Sequence, residues 1–148
     1  MLYKNELNLQ ILSLSENEAF ARSCVASFCL PLNPSLEVIT DIKTAVSEAV
    51  TNCVVHAYPD SVGIININVK LSFNEIYISV KDFGVGICDV VKAKEPFFTS
   101  KPESERSGMG FTVMESFMDE LKVFSGVNEG TEIVLVKRLG EVSKAVGG

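Results

Sequence analysis

The stretch Glu48–Pro59, EAVTNCVVHAYP, sets an acid, an amide and an imidazole at every fourth residue, as Glu48, Asn52 and His56. Residues four apart on an α-helix stack on one face, so Glu48 and Asn52 are expected to be neighbours, with His56 one turn beyond. An amide oxygen suits a hard cation such as Mg²⁺, which takes one or two protein ligands beside water and phosphate oxygens. A carboxylate next to it can orient water or accept a hydroxyl proton. The solvated edge of an ordinary amphipathic helix carries the same residue types, and His56 alone reads as a structural histidine near a helix end.

Three further stretches carry chemistry of the same kind. DFGVGI (Asp82–Ile87) follows an apolar alternating run, and its glycines allow positive φ and close approach of backbone to a ligand, with Asp82 ready to accept hydrogen bonds at a strand end. A D-x-G-x-G turn is common, and the DFG of eukaryotic-type kinases is set aside because neither V-A-I-K nor H-R-D accompanies it. RSGMGF (Arg106–Phe111) places glycines where a helix opens, beside the cations Lys101 and Arg106, which makes an anion site. GTEI, with Gly130 and Thr131 entering a buried strand, says little alone.

These residues need elements to hold them. Residues 2–12 read as a first strand. SENE (Ser15–Glu18) reads as a capping box for a helix over about 16–28, with Phe20, Val25 and Phe28 among its apolar positions. Asn33 is expected to cap a second helix, with Pro34 first, running to about Ala57; Ile39, Ile42, Val46, Ala49, Val50 and Cys53 form its apolar face. Period-two alternation predicts strands through Ile65–Leu71 and Ile76–Val80. EPFFTSKPESERS, Glu95 to Ser107, is aperiodic and reads as a functional loop. A helix follows, with Phe111, Met114, Phe117 and Met118 inward, then strands LKVFS and TEIVLVKRL about the turn VNEG, and a frayed tail. The order predicts an α/β two-layer sandwich, a mixed, mostly antiparallel sheet with helices on one face. Residues 1–140 form one domain and 141–148 a disordered tail.

Composition narrows the function. The chain of 148 residues is 47% hydrophobic, long enough to bury a core, and carries a net charge of −6. No basic patch invites nucleic acid. No apolar run approaches the roughly 20 residues of a membrane helix and the start lacks signal-peptide character, so a cytoplasmic protein is expected. Cys24, Cys29, Cys53 and Cys88 include no C-x-x-C pair and read as buried reduced thiols.

In that order and spacing, EAVTNCVVHAY, DFGVGI, ERSGMGF and GTEI resemble the N, G1, G2 and closing G-T boxes of the GHKL, or Bergerat-fold, ATP-binding superfamily. ENEAFAR, SEAVTNCVVHAY and PFFTSKPESERSGMGFTVMESFMDEL are similar to its anti-sigma serine kinases, in their sporulation branch. The resemblance covers nearly the whole chain. It implies ATP with Mg²⁺ held by Asn52, Glu48 as general base, and Asp82 receiving the adenine amino group as Gly84 and Gly86 pass against the base. Thr131 would support Asp82, usually through water. A lid over about 95–110 would cover the triphosphate, with Lys101 and Arg106 as cations and the backbone of Ser107, Gly108, Met109, Gly110 and Phe111 against the phosphates.

The resemblance also implies partners. A sporulation sigma factor of the sigma-F type would be captured, an anti-anti-sigma protein phosphorylated on serine, and Arg22 would grip both. A homodimer through the sheet region, with the first strand contributing, is implied too. A nucleotide-gated binding protein or ATPase without kinase activity is the alternative.

Overall fold

The computed structural model describes residues 4–86 and 110–140. Strand β1 (Asn5–Leu12) leads into helix α1 (Asn17–Cys29), a 3₁₀ turn at Leu30–Leu32, and helix α2 (Leu36–Asn52). A π-helical turn, Cys53–Ala57, extends α2 before the hairpin β2 (Ile64–Leu71) and β3 (Glu75–Asp82). Helix α3 (Gly110–Phe117) and the hairpin β4 (Glu120–Gly126) and β5 (Gly130–Arg138) complete the fold. The sheet order is β1-β2-β3-β5-β4, and each neighbouring pair is antiparallel. Helices on one face of an antiparallel sheet make the expected two-layer sandwich.

Alternation decides which face is covered. Ile65, Ile67, Ile76, Ile78, Ile133 and Leu135 point to the helices and are essentially inaccessible, each worth about 1.5–3 kcal/mol in burial. They meet Val25 of α1, Ile42, Val46 and Val50 of α2, and Phe111 and Met114 of α3. Helix α2 lies between α1 and α3. Lys137 of β5 ties the layers together, donating to Asp41 Oδ2 of α2 at 3.0 Å and to the Phe117 carbonyl at 2.7 Å.

The helix starts depart from expectation. The Ser15–Glu18 capping box does not form: Glu16 is the N-cap without a side-chain bond, and the Glu18 amide donates to the Ser15 carbonyl instead. The Glu18 carboxylate is drawn forward one turn to Arg22 Nη1 at 3.0 Å. Asn33 does not cap α2. It sits in the left-handed region (φ 52°) and closes the 3₁₀ turn, while Ser35 caps α2 by accepting from the Val38 amide at 3.2 Å. Phe20, read as one of the apolar positions of its helix, and Phe117, expected inward, are exposed, because Ala21 and Met114 occupy the buried stripes of their helices.

Among the described residues no helix is long and apolar enough to cross a membrane. Cys29 and Cys53 are buried free thiols and Cys24 is half-buried. Cys88, the loop expected over 95–107 and the tail expected over 141–148 lie outside the described residues.

Candidate functional site

Helix α2 carries Glu48 and Asn52 one regular turn apart, both half-buried, with Ala45, Ala49 and Val50 anchoring the opposite side in the core. The helix continues as the π turn, whose i→i+5 bonding adds about one residue to the turn, and His56 stands in it, half-buried. Cys53 and Ala57 of the same turn are buried in the core.

The buried end of this turn meets the glycine loop after β3. The Val85 amide donates to the Ala57 carbonyl at 3.0 Å, and Gly84 packs so closely there that a Cβ would overlap the same carbonyl. Gly86 has φ +79°, and a Cβ on it would overlap the Gly126 carbonyl of the β4–β5 hairpin. Tyr58 clasps the loop from outside: its hydroxyl accepts from the Phe83 amide at 2.7 Å and donates to the Ile64 carbonyl at 2.8 Å.

Asp82 closes β3 and is 1% exposed. Its Oδ1 accepts from the Gly84 amide at 3.0 Å and from the Thr131 amide at 3.1 Å. Register places Asp82 opposite Thr131. Burial pushes the carboxyl above its ordinary value, opposed by the Gly84 amide, the Cys53 thiol and the Thr131 amide. Cys53 is held protonated in turn, by burial first and then by the charge and hydrogen bond of Asp82. Thr131 supports Asp82 through its backbone, while its hydroxyl pairs with Ser125 Oγ at 2.7 Å.

Arg22 of α1 faces α2 across a cleft of about 330 Å³ that also contains Glu48. The sequence had put these two in separate roles, and the fold sets them in one groove. Larger clefts, of about 510 Å³ beside Lys81 and Phe124 and about 540 Å³ beside Tyr58 and Phe83, contain neither Asn52 nor Asp82. Volume therefore does not distinguish the candidate site, whose distinguishing feature is a buried, amide-held carboxylate against a glycine turn.

Gly110 begins α3 and Phe111 is buried in the core, so at Phe111 only the backbone could face a ligand. Lys101, Arg106, Ser107, Gly108 and Met109 lie outside the described residues. Sequence reasoning missed Cys53 as the partner of Asp82 and Tyr58 as the clasp. Both follow EAVTN within one turn or so, and the π turn that aims them has no local signature.

Residues 12–137 match the family described as histidine kinase-like ATPase domain. The chain is 50% identical to a protein of Anoxybacillus flavithermus named anti-sigma F factor, over 97% of this chain and 98% of that one. It is 54% identical to the anti-sigma F factor of Caldanaerobacter subterraneus, over 95% and 98%, and 51% identical to that of Geobacillus kaustophilus, over 97% and 98%. A solved structure of the RsbU and RsbW domains of a Mycobacterium tuberculosis protein is similar in fold, with TM-score 0.66 and 20% identity, covering 92% of this chain and 32% of that longer one.

Proposed function

The chain belongs to the histidine kinase-like ATPase domain family and, within it, to the anti-sigma F factors, and on that premise we propose an ATP-dependent protein-serine kinase that also captures a sigma factor. Its antagonist, an anti-anti-sigma protein, is the phosphate acceptor. Unmodified antagonist displaces the sigma factor, and phosphorylation restores capture. The observation that carries this reading is the shared groove of Glu48 and Arg22, one helical turn from Asn52.

The donor set fits Mg-ATP. Asp82 offers a buried carboxylate, fixed by two amides, to the exocyclic amine of adenine. Asn52 offers the amide oxygen that a hard cation accepts. When bound, Mg-ATP supplies the phosphoryl group and the charge neutralisation on which its transfer depends. Glu48 takes the proton of the acceptor serine at its carboxylate as that hydroxyl approaches. Arg22, held by Glu18, positions the protein that brings the serine. Lys101 and Arg106, with the backbone of Ser107–Phe111, are assigned to the phosphates. A homodimer through the sheet, with β1 as the contributing edge, completes the proposal.

The test is incubation with γ-labelled ATP, Mg²⁺ and the anti-anti-sigma protein of the same cell, followed by autoradiography. Label on the partner's serine is expected, falling about 10²–10⁴-fold in Glu48→Gln, the range of a lost general base. Free phosphate with no labelled partner would leave an ATPase. Undiminished transfer by Glu48→Gln would remove Glu48 from the base role.

A further inference from the structure

The α1–α2 groove holds one cation that the proposed chemistry does not use. Besides Arg22 and Glu48 it is lined by Thr40, Lys43, Thr44 and Ser47, a stripe on α2 whose spacing of three and four residues keeps it on one face. Arg22 is neutralised by Glu18 at 3.0 Å. Among the described residues no ion pair involves Lys43. Lys43 therefore sets a positive charge in a polar cleft that carries the Glu48 carboxylate further along α2, without an aromatic or large aliphatic side chain. Such a lining suits an extended, acidic peptide segment better than an apolar helix.

Resting on the kinase reading above, we infer that Lys43 is a specificity-determining residue that binds an acidic side chain of the acceptor segment, within about three positions of the serine that reaches Glu48. The spacing follows from helix geometry. Lys43 and Glu48 are five residues apart on α2, about 7.5 Å along its axis and about 140° around it, which separates their Cα atoms by about 9 Å. An extended strand rises about 3.3 Å per residue, so about three residues of acceptor span that distance. Thr44 and Ser47, between them, offer hydroxyls to the backbone of the bridging residues. The serine is thus measured into place by its neighbour's charge.

The experiment pairs calorimetry of the full chain with unphosphorylated anti-anti-sigma protein in saturating Mg-ADP with initial rates of that protein's phosphorylation. Lys43→Met, which keeps the apolar stem, is expected to weaken acceptor binding about fivefold and to raise KM for the acceptor equally. The kcat and the KM for ATP should stay as they are. Lys43→Arg should restore binding. Neutralising the acceptor's acidic residue within about three positions of its serine should weaken the wild type as much and leave Lys43→Met indifferent. Equal acceptor affinity for Lys43→Met and the wild type would overturn the inference. So would a shift in KM for ATP alone, which would assign Lys43 to the nucleotide, or the lack of any such acidic residue in the acceptor. If wild-type chain transfers no phosphate to any protein, the kinase reading fails, and calorimetry still decides whether Lys43 reads the acceptor's charge.

Discussion

The Thr131 amide donates to Asp82 Oδ1 at 3.1 Å across the rung where β3 and β5 pair these two residues. Strand pairing thereby places the amide that orients this carboxylate, and the Gly84 amide of the glycine loop also holds that oxygen. The side chain proposed to read the ligand is fixed jointly by the sheet that carries the core and by the loop that follows β3.

That placement has a thermodynamic cost. The Asp82 carboxyl lies above its ordinary value of 3.8, chiefly through burial. The folded chain therefore holds this proton better than the unfolded chain, so the contribution to stability is present below 3.8 and is lost as pH rises through the raised value. Asp82→Asn should lower ATP affinity by about tenfold or more, the scale of a hydrogen bond to a charged group. Its Tm at pH 7 should match or exceed that of the wild type, and the difference should shrink as pH falls below the ordinary carboxylate range. Calorimetric titration and melting curves measured from acid to neutral pH check both parts; unchanged ATP affinity would exclude Asp82 from the site.

Asn52→Ala tests the metal. Nucleotide affinity without Mg²⁺ should hold, while the enhancement that Mg²⁺ confers should fall by about tenfold or more, as for loss of a metal-site partner. Titrations with and without Mg²⁺ read this directly. A full enhancement in the variant would place the cation elsewhere.

Gly84→Ala tests the contact between the π turn and the glycine loop. Its new methyl meets the Ala57 carbonyl, and backbone on both sides cannot yield as a side chain would. We expect a loss of about 1–3 kcal/mol in urea unfolding, with weaker ATP binding from the displaced loop. Wild-type stability and affinity together would show that the loop has slack.

Arg22→Glu tests the groove from the α1 side. The Arg22–Glu18 pair is a partly exposed i,i+4 contact, so stability should change by about 0.5 kcal/mol at most. Binding of both the sigma factor and the antagonist should be lost, with ATP affinity intact. Retained sigma binding, measured by co-purification, would remove Arg22 from the interface.

Much of this was legible in the residues. Alternation through Ile65–Leu71 and Ile76–Val80 fixed two strands and their buried face, because side chains in a strand have no other way to divide oil from water. Glu48, Asn52 and Asp82 stood out by residue type, and the fold sets the first two a turn apart on α2 and buries the third at the end of β3. The helix starts were not legible: Ser15 and Asn33 are good caps by type, but the turns leading in from β1 and the 3₁₀ segment decided which residue stood at each boundary. The π turn was hidden as well. It seats Cys53 beside Asp82 and Ala57 against Gly84, partners that lie far along the chain and so leave no local signal. On the outer face, Val134 and Val136 are buried beside polar neighbours, a mixture that period-two counting cannot rank.

Because β3 and β5 are adjacent, the chain leaves β3 after Asp82, returns to the sheet as β4, and comes back beside β3 at Gly130, whose backbone lies against the Asp82 carbonyl. Everything between, α3 and β4 included, is thus an excursion whose two ends touch. The entropy of closing such an excursion grows only slowly with its length, and the rungs between β3 and β5 hold its ends together. The fold therefore works like a fixed hinge plate: Asp82 keeps its place whatever length of chain is hung between the two strands.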